Sequence, residues 1–242
     1  RGRCSMSIYL WTEDREEKSG YTFWKTMMGC LYPQIVVESK KNNIGLLKAV
    51  RQLMKSDLSD NKYIIAMDES FDNDQVVRQL RALPRVISGN NNIYVLRLIS
   101  FEYILLSFTE LLNWIYADED EFRTKRNVEI KARKALLDAI EQNIDYKSLP
   151  ELKNFSADIN DYNIEQIISK LLFKLTRNTG FEVSKGVLGE CWRKDCCEYS
   201  TRSSDDLCGL DLERLTLMEK AKTIYQCSIL KSEFERLQIG GI

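Results

Sequence analysis

Hydrophobic and polar positions along the first 116 residues switch repeatedly between a period of two and a helical period. Ser7 to Trp11 is a β-branched and aromatic run that ends at Thr12-Glu13-Asp14, which predicts a strand stopping in acid. From Ser19-Gly20 onward Phe23, Trp24, Met27, Met28 and Leu31 recur on one side of a helix, and Pro33 stops it. Gln34 to Glu38 reads as a second strand. Asn42 to Met54 is amphipathic, with Ile44, Leu46, Leu47, Val50 and Leu53 at helical spacing. Lys62 to Met67 is a third strand, and it too runs into carboxylates, at Asp68, Glu69, Asp72 and Asp74. A helix through Val76, Val77 and Leu80 ends near Pro84, a fourth strand covers Asn92 to Ile99, and Phe101 to Tyr116 reads as one apolar helix.

This order predicts an α/β fold over residues 6–116: a mainly parallel βαβαβαβα sheet with helices on both faces. In such sheets a ligand sits outside the carboxyl ends of the strands, and strands one and three both deliver acids there. Residues 117–242 read as a mostly helical second half. An acidic block, Asp118 to Glu121, precedes Arg123, Lys125, Arg126, Lys131, Arg133 and Lys134, the charge order that suits the dipole of one exposed helix from about 119 to 142. A nucleic-acid-facing basic stripe is the sharper reading of the same residues. A loop is expected over 154–161, a helix over 162–177 with Ile164, Ile167, Ile168, Leu171, Leu172 and Leu175 on its apolar face, and one long helix over 210–237.

Composition narrows the chemistry. The chain of 242 residues contains no histidine. Ser-His-Asp and Cys-His nucleophile systems, histidine bases and imidazole zinc sites are thereby excluded. Carboxylate–metal chemistry, lysine or tyrosine acid–base chemistry, thiolates and plain binding remain. With 35 basic against 36 acidic side chains, the chain is not the basic body that grips duplex nucleic acid by phosphate neutralisation alone. The longest apolar region, 93–116, is broken by Arg97, Glu102 and Glu110, so no membrane span is expected, and no signal-peptide pattern stands near the N-terminal end. Seven cysteines, four of them between 191 and 208, suit a reducing, cytoplasmic setting. Without histidine a closed zinc site must use four thiolates, for which Cys191, Cys196, Cys197 and Cys208 are candidates. The spacing lacks paired knuckles, and ordinary free thiols are the competing reading. Cys227 reads as a core residue of the last helix.

Two acidic clusters at the ends of neighbouring parallel strands can share Mg²⁺, a hard ion that takes oxygen ligands. Such an ion can activate water at a phosphoryl centre without histidine. Residues 7–116 resemble a Toprim domain, the βαβ module of topoisomerases, primases and OLD-type nucleases. The resemblance rests on Glu13 in Leu-Trp-Thr-Glu-Asp and on Asp68-Glu69-Ser70 in Ile-Ile-Ala-Met-Asp-Glu-Ser-Phe-Asp. The run Ile99 to Leu106 is similar to a segment in a Toprim-like group associated with bacterial anti-phage ATPases. The resemblance implies a Mg²⁺-dependent phosphodiester-cleaving protein acting on DNA or RNA, with Glu13, Asp68 and Asp72 as catalytic and metal-binding residues and an ATPase partner in a phage-defence assembly. Two departures stand out. Asp14 replaces the usual glycine, and Ser70 replaces the second acid of Asp-x-Asp, so that Asp72 or Glu69 would have to compensate. A non-catalytic scaffold is the main alternative. A receiver-like signalling domain, with Glu13-Asp14, Asp68 and Ser100, is a further one that lacks its fifth strand and lysine.

Overall fold

The computed structural model describes residues 6–56, 61–116, 119–197, 208–211 and 213–239. Cys4, Asp118 and the Ser203 to Asp206 part of the polar stretch lie outside them. Four strands, β1 (Ile8–Thr12), β2 (Ile35–Ser39), β3 (Lys62–Asp68) and β4 (Ile93–Leu98), form an all-parallel sheet in the order β2-β1-β3-β4. Helices α1 (Ser19–Leu31), α2 (Asn43–Leu53) and α3 (Asp74–Val86) connect them, and α4 (Phe101–Ser107) follows β4. The fold is the expected α/β architecture.

Both faces of the sheet are covered, because alternate residues of each strand point to opposite sides. On one face Ile8, Leu10, Ile64, Ala66, Leu96 and Leu98 pack with Phe23, Trp24, Met27 and Met28 of α1 and with α4. On the other, Trp11, Tyr63, Ile65, Met67 and Ile93 pack with Leu46, Leu47 and Val50 of α2 and Leu83 of α3. Side-chain caps start these helices: Asn42 accepts from the Gly45 N–H, Asn73 from those of Gln75 and Val76, and Ser100 from that of Tyr103.

The first face is not confined to the first half. Its cluster continues through α7 (Asn127–Gln142), α9 (Ile164–Thr176), a short hairpin of β5 (Val183–Ser184) and β6 (Val187–Leu188), α10 (Leu217–Gln226) and α11 (Ile229–Arg236) as one contiguous core. The boundary at residue 116 therefore falls inside a single packing unit. The remaining helices are short: α5 (Leu111–Tyr116), α6 (Asp120–Lys125) and α8 (Pro150–Phe155).

Three long helices expected from the sequence are broken. The 101–116 run ends α4 at Phe108, whose extended backbone turns the chain before α5. The 119–142 segment divides at Arg126, which leaves helical geometry as its buried guanidinium reaches the Lys174 and Arg177 carbonyls. The 210–237 segment begins its helix only at Leu217 and breaks at Cys227-Ser228, where Ser228 caps α11. In each case tertiary partners override a continuous apolar period. Among the described residues no helix is long and apolar enough to cross a membrane.

At the far edge of the sheet, α11 lies against β4. Glu233 accepts the Arg97 N–H at 2.8 Å, and Arg236 donates to the Val95 carbonyl at 2.9 Å while pairing with Glu233 at 2.7 Å. One side-chain pair thus satisfies backbone groups that a fifth strand would have taken.

Candidate functional site: a buried carboxylate cluster

The chain leaves β1 toward β2 on one side and returns through α2 to β3 on the other, so β1 and β3 flank the topological switch point of the sheet. Thr12 is paired with Ala66 in the register of these strands, which brings Glu13, just past β1, beside Asp68, the last residue of β3. The two expected acids do meet. Glu13 and Asp68 stand close enough that the backbone N–H and side chain of Asp68 pull against the rise that burial imposes on Glu13. Two carboxyls this close and this far from water are most stable with one proton between them, so the folded chain favours the singly protonated pair. Burial, then the neighbouring Asp14 and Glu165, push the Glu13 carboxyl up to about 8. Burial, then Glu13, Glu165, Glu102 and Asp14, hold Asp68 well above the usual carboxylate range. The second carboxylate oxygen of Glu13, Oε2, is buried and has no hydrogen-bond partner.

Three more acids close the cluster. Asp14 takes the Thr12 hydroxyl at 3.1 Å and lies against Gly20 in the first turn of α1. A Cβ at position 20 would stand 2.1 Å from Asp14 Oδ2, so the glycine makes the room that the carboxylate occupies. Burial, together with Glu165, raises the Asp14 pKa against the relief that Thr12 gives. Glu102, in the first turn of α4, is 8% exposed, and burial pushes it up to about 7 although its own N–H and the Ser100 hydroxyl hold its carboxylate. Glu165, in the first turn of α9, accepts the hydroxyl of fully buried Ser70 at 2.8 Å.

Glu102 and Glu165 are the members that sequence reasoning does not place. Each is an acid in the first turn of an amphipathic helix, a position that helix dipoles favour everywhere, so neither carries a distinguishing sequence signal. Ser70 stands where the resemblance would place a second acid, and its hydroxyl donates to Glu165. The serine at that position orients a carboxylate from the helical half.

Asp72 and Glu69, the expected substitutes, are engaged elsewhere. Asp72 accepts the Tyr146 hydroxyl at 2.5 Å and the Ile164 N–H at 3.0 and 3.1 Å, with Lys147 at 3.8 Å. Its carboxylate satisfies an orphan donor at the start of α9 and fastens the helical half to the β3–α3 loop. Burial and Asp72 together hold the Tyr146 hydroxyl far above the ordinary tyrosine range. Glu69 turns to the other side, toward Arg97, Glu233 and Arg236.

The cysteines occupy the opposite end of the helical half. Cys191, Cys196 and Cys208 are partly or fully buried and Cys197 is exposed. Burial pushes the Cys191 thiol up to about 11 against the pull of nearby Lys220, while the other three thiols lie close enough to raise it further. Lys220 is fully buried, and its ammonium donates to the Cys191 and Lys194 carbonyls at 3.0 Å each, tying this segment to α10. Among the described residues no group of three or more cysteine, aspartate or glutamate side chains stands in an arrangement that could hold a metal ion. The chemistry of the acid cluster nevertheless suits a hard divalent cation: all donors are oxygens, one buried oxygen is orphaned, and burial with neighbouring acids raises the carboxyls at its centre. Of the basic side chains over 123–134, Arg126 and Arg133 turn inward onto main-chain carbonyls, whereas Arg123, Lys125, Lys131 and Lys134 are exposed.

Compared with protein-family models, with curated proteins and with solved structures, the chain has no significant match in any of the three.

Proposed function

We propose that this chain is a Toprim-like, Mg²⁺-dependent protein that cleaves phosphodiesters in nucleic acid, with Glu13 and Asp68 at its centre and Asp14, Glu102 and Glu165 around them. The observation that carries the reading is the convergence of Glu13 and Asp68 at the switch point of the sheet, with Glu13 Oε2 buried and unsatisfied beside it. Concentrating five carboxylates in a partly buried site is costly unless a cation or protons neutralise them. Glu13, Asp68 and Glu165 are the side chains that would hold Mg²⁺, by closing onto the ion from the separated positions they take without it. When bound, the ion would neutralise charge on a phosphoryl oxygen and activate water. Glu102, which ionises near 7, is suited to take a proton from that water in a chain without histidine. Ser70 and Ser100 fix the Glu165 and Glu102 carboxylates. Asp72 acts as a fastener between the two halves rather than as a ligand.

The test is cleavage of labelled single- and double-stranded DNA and RNA with Mg²⁺ or Mn²⁺, alongside calorimetric Mg²⁺ titration. Glu13→Gln and Asp68→Asn are expected to lower the rate about 100-fold or more and to weaken Mg²⁺ binding. Wild-type protein that neither binds Mg²⁺ nor cleaves any substrate would sink the reading. A scaffold role would then lead, favoured by the continuous core joining the two halves.

A further inference from the structure

On the far side of the loop that carries Asp68 lies a groove of about 630 Å³ between α3, β4 and α11. Its volume falls in the range of small-ligand sites, roughly 300–1,000 Å³. Leu80 and Tyr94 supply apolar wall, and Phe71, 53% exposed, lines it from the β3–α3 loop. Three guanidinium groups also line it, from Arg81, Arg97 and Arg236, against one carboxylate, Glu69. Arg236 is committed to Glu233 and to the Val95 carbonyl. Among the described residues Arg81 and Arg97 make no ion pair, and both are exposed. The groove is therefore net positive on a chain of formal charge −1.

The loop from 68 to 72 connects this groove to the acid cluster. Asp68, Ser70 and Asp72 serve the carboxylates and α9, whereas Glu69 and Phe71 line the groove. Phe71 is three positions on from Asp68, at most about 11 Å of extended chain. An apolar slot with an exposed aromatic ring and two guanidinium groups outside any ion pair has the chemistry that takes a nucleobase and its phosphate.

We propose that this groove holds a nucleotide of a single strand, next to the one whose phosphodiester lies at the acid cluster. The base sits against Phe71 and Tyr94, and Arg97 and Arg81 take the phosphate. This rests on the proposed phosphodiester chemistry for its orientation but not for its measurement.

The experiment is fluorescence anisotropy of labelled twelve-nucleotide dT and U strands with the full chain in EDTA, where no cleavage occurs, across a salt series. Wild type is expected to bind at least one of the two strands. Phe71→Ala should weaken that binding at least about fivefold. Arg81→Ala with Arg97→Ala should flatten the slope of log affinity against log salt by about 1.4, roughly 0.7 for each single-strand phosphate that the two guanidinium groups no longer neutralise. Equal affinity for dT and U places the recognition on the base face and the phosphate, and a preference for one adds the 2′-hydroxyl or the 5-methyl group, the two features by which the strands differ, to what the groove reads. Absence of binding by wild type, or binding untouched by the Phe71 and arginine variants, overturns the proposal. Mg²⁺ binding at the acid cluster would survive that result, so the two failures are distinguishable.

Discussion

Replacing Glu13 by glutamine is expected to stabilise the metal-free protein, and to do so only on the alkaline side. The Glu13 carboxyl ionises near 8 in the folded chain against an ordinary value of 4.5. Between those two values the folded state keeps a proton that the unfolded state has lost. Stability contributed by this group therefore falls as pH rises through the window, and below 4.5 both states are protonated and the difference vanishes. At ~1.36 kcal/mol per pH unit the full effect is about 5 kcal/mol above pH 8. The side chain is not sealed from solvent, and screening at an effective dielectric near 20 reduces this to on the order of 2 kcal/mol. For a chain of this length that corresponds to a rise in Tm of about 4–8 °C. The assay is thermal unfolding of wild type and Glu13→Gln in EDTA at about pH 4, 6.5 and 9, values that bracket the titration window. The two should nearly coincide at the acid end and diverge at the alkaline end, with glutamine higher. Adding Mg²⁺ at the alkaline end should raise wild type more than the variant, because the ion replaces the bridging proton. A difference in Tm that is the same at both ends, or a glutamine variant that melts lower at the alkaline end, would refute the shared-proton argument.

Asp68→Asn should abolish Mg²⁺-dependent cleavage while its Tm near pH 8 stays level or rises, measured by the same melts and a gel assay. Asp72→Ala should behave oppositely: about 1–3 kcal/mol less stable by urea unfolding, because the Ile164 N–H and the Tyr146 hydroxyl lose their acceptor, with Mg²⁺ affinity retained. If Cys191, Cys196, Cys197 and Cys208 close around zinc by rotating toward one another, reduced protein should carry close to one zinc per chain by elemental analysis. Content near zero would leave them as packing residues.

The strands, their parallel order and the meeting of Glu13 with Asp68 were legible because a period of two gives way to a helical period at each turn and because both strands end in acid. Buried parallel strands announce themselves by composition. The rest of the site was hidden for a physical reason. Glu165 comes from 97 positions beyond Asp68 and is recruited by one serine hydroxyl, and a hydrogen bond over that separation leaves no local pattern. Asp72 misled because an acid near the Asp-x-Asp position looks like a ligand until Tyr146 and the start of α9 arrive to claim it. The helix breaks at Arg126 and Cys227 were likewise invisible, since the apolar spacing runs through both. The hairpin of β5 and β6 has two residues per strand, too few for any period to show.

The Glu233–Arg236 pair on β4 has a consequence for how this molecule could associate with others. A parallel sheet with a bare margin is a template on which any extended peptide can polymerise. Here that margin is closed by two side chains on the last described helix, about 140 residues away in sequence from the backbone they cover. The closure is therefore detachable in a way that a covalently adjacent strand would not be. Proteolytic removal of α11 would strip the cover without touching any strand, and would open the β4 edge to strand addition. Charge reversal at both positions together would keep the ion pair but present a cation to the Arg97 N–H and a carboxylate to the Val95 carbonyl, so aggregation on gentle heating should follow.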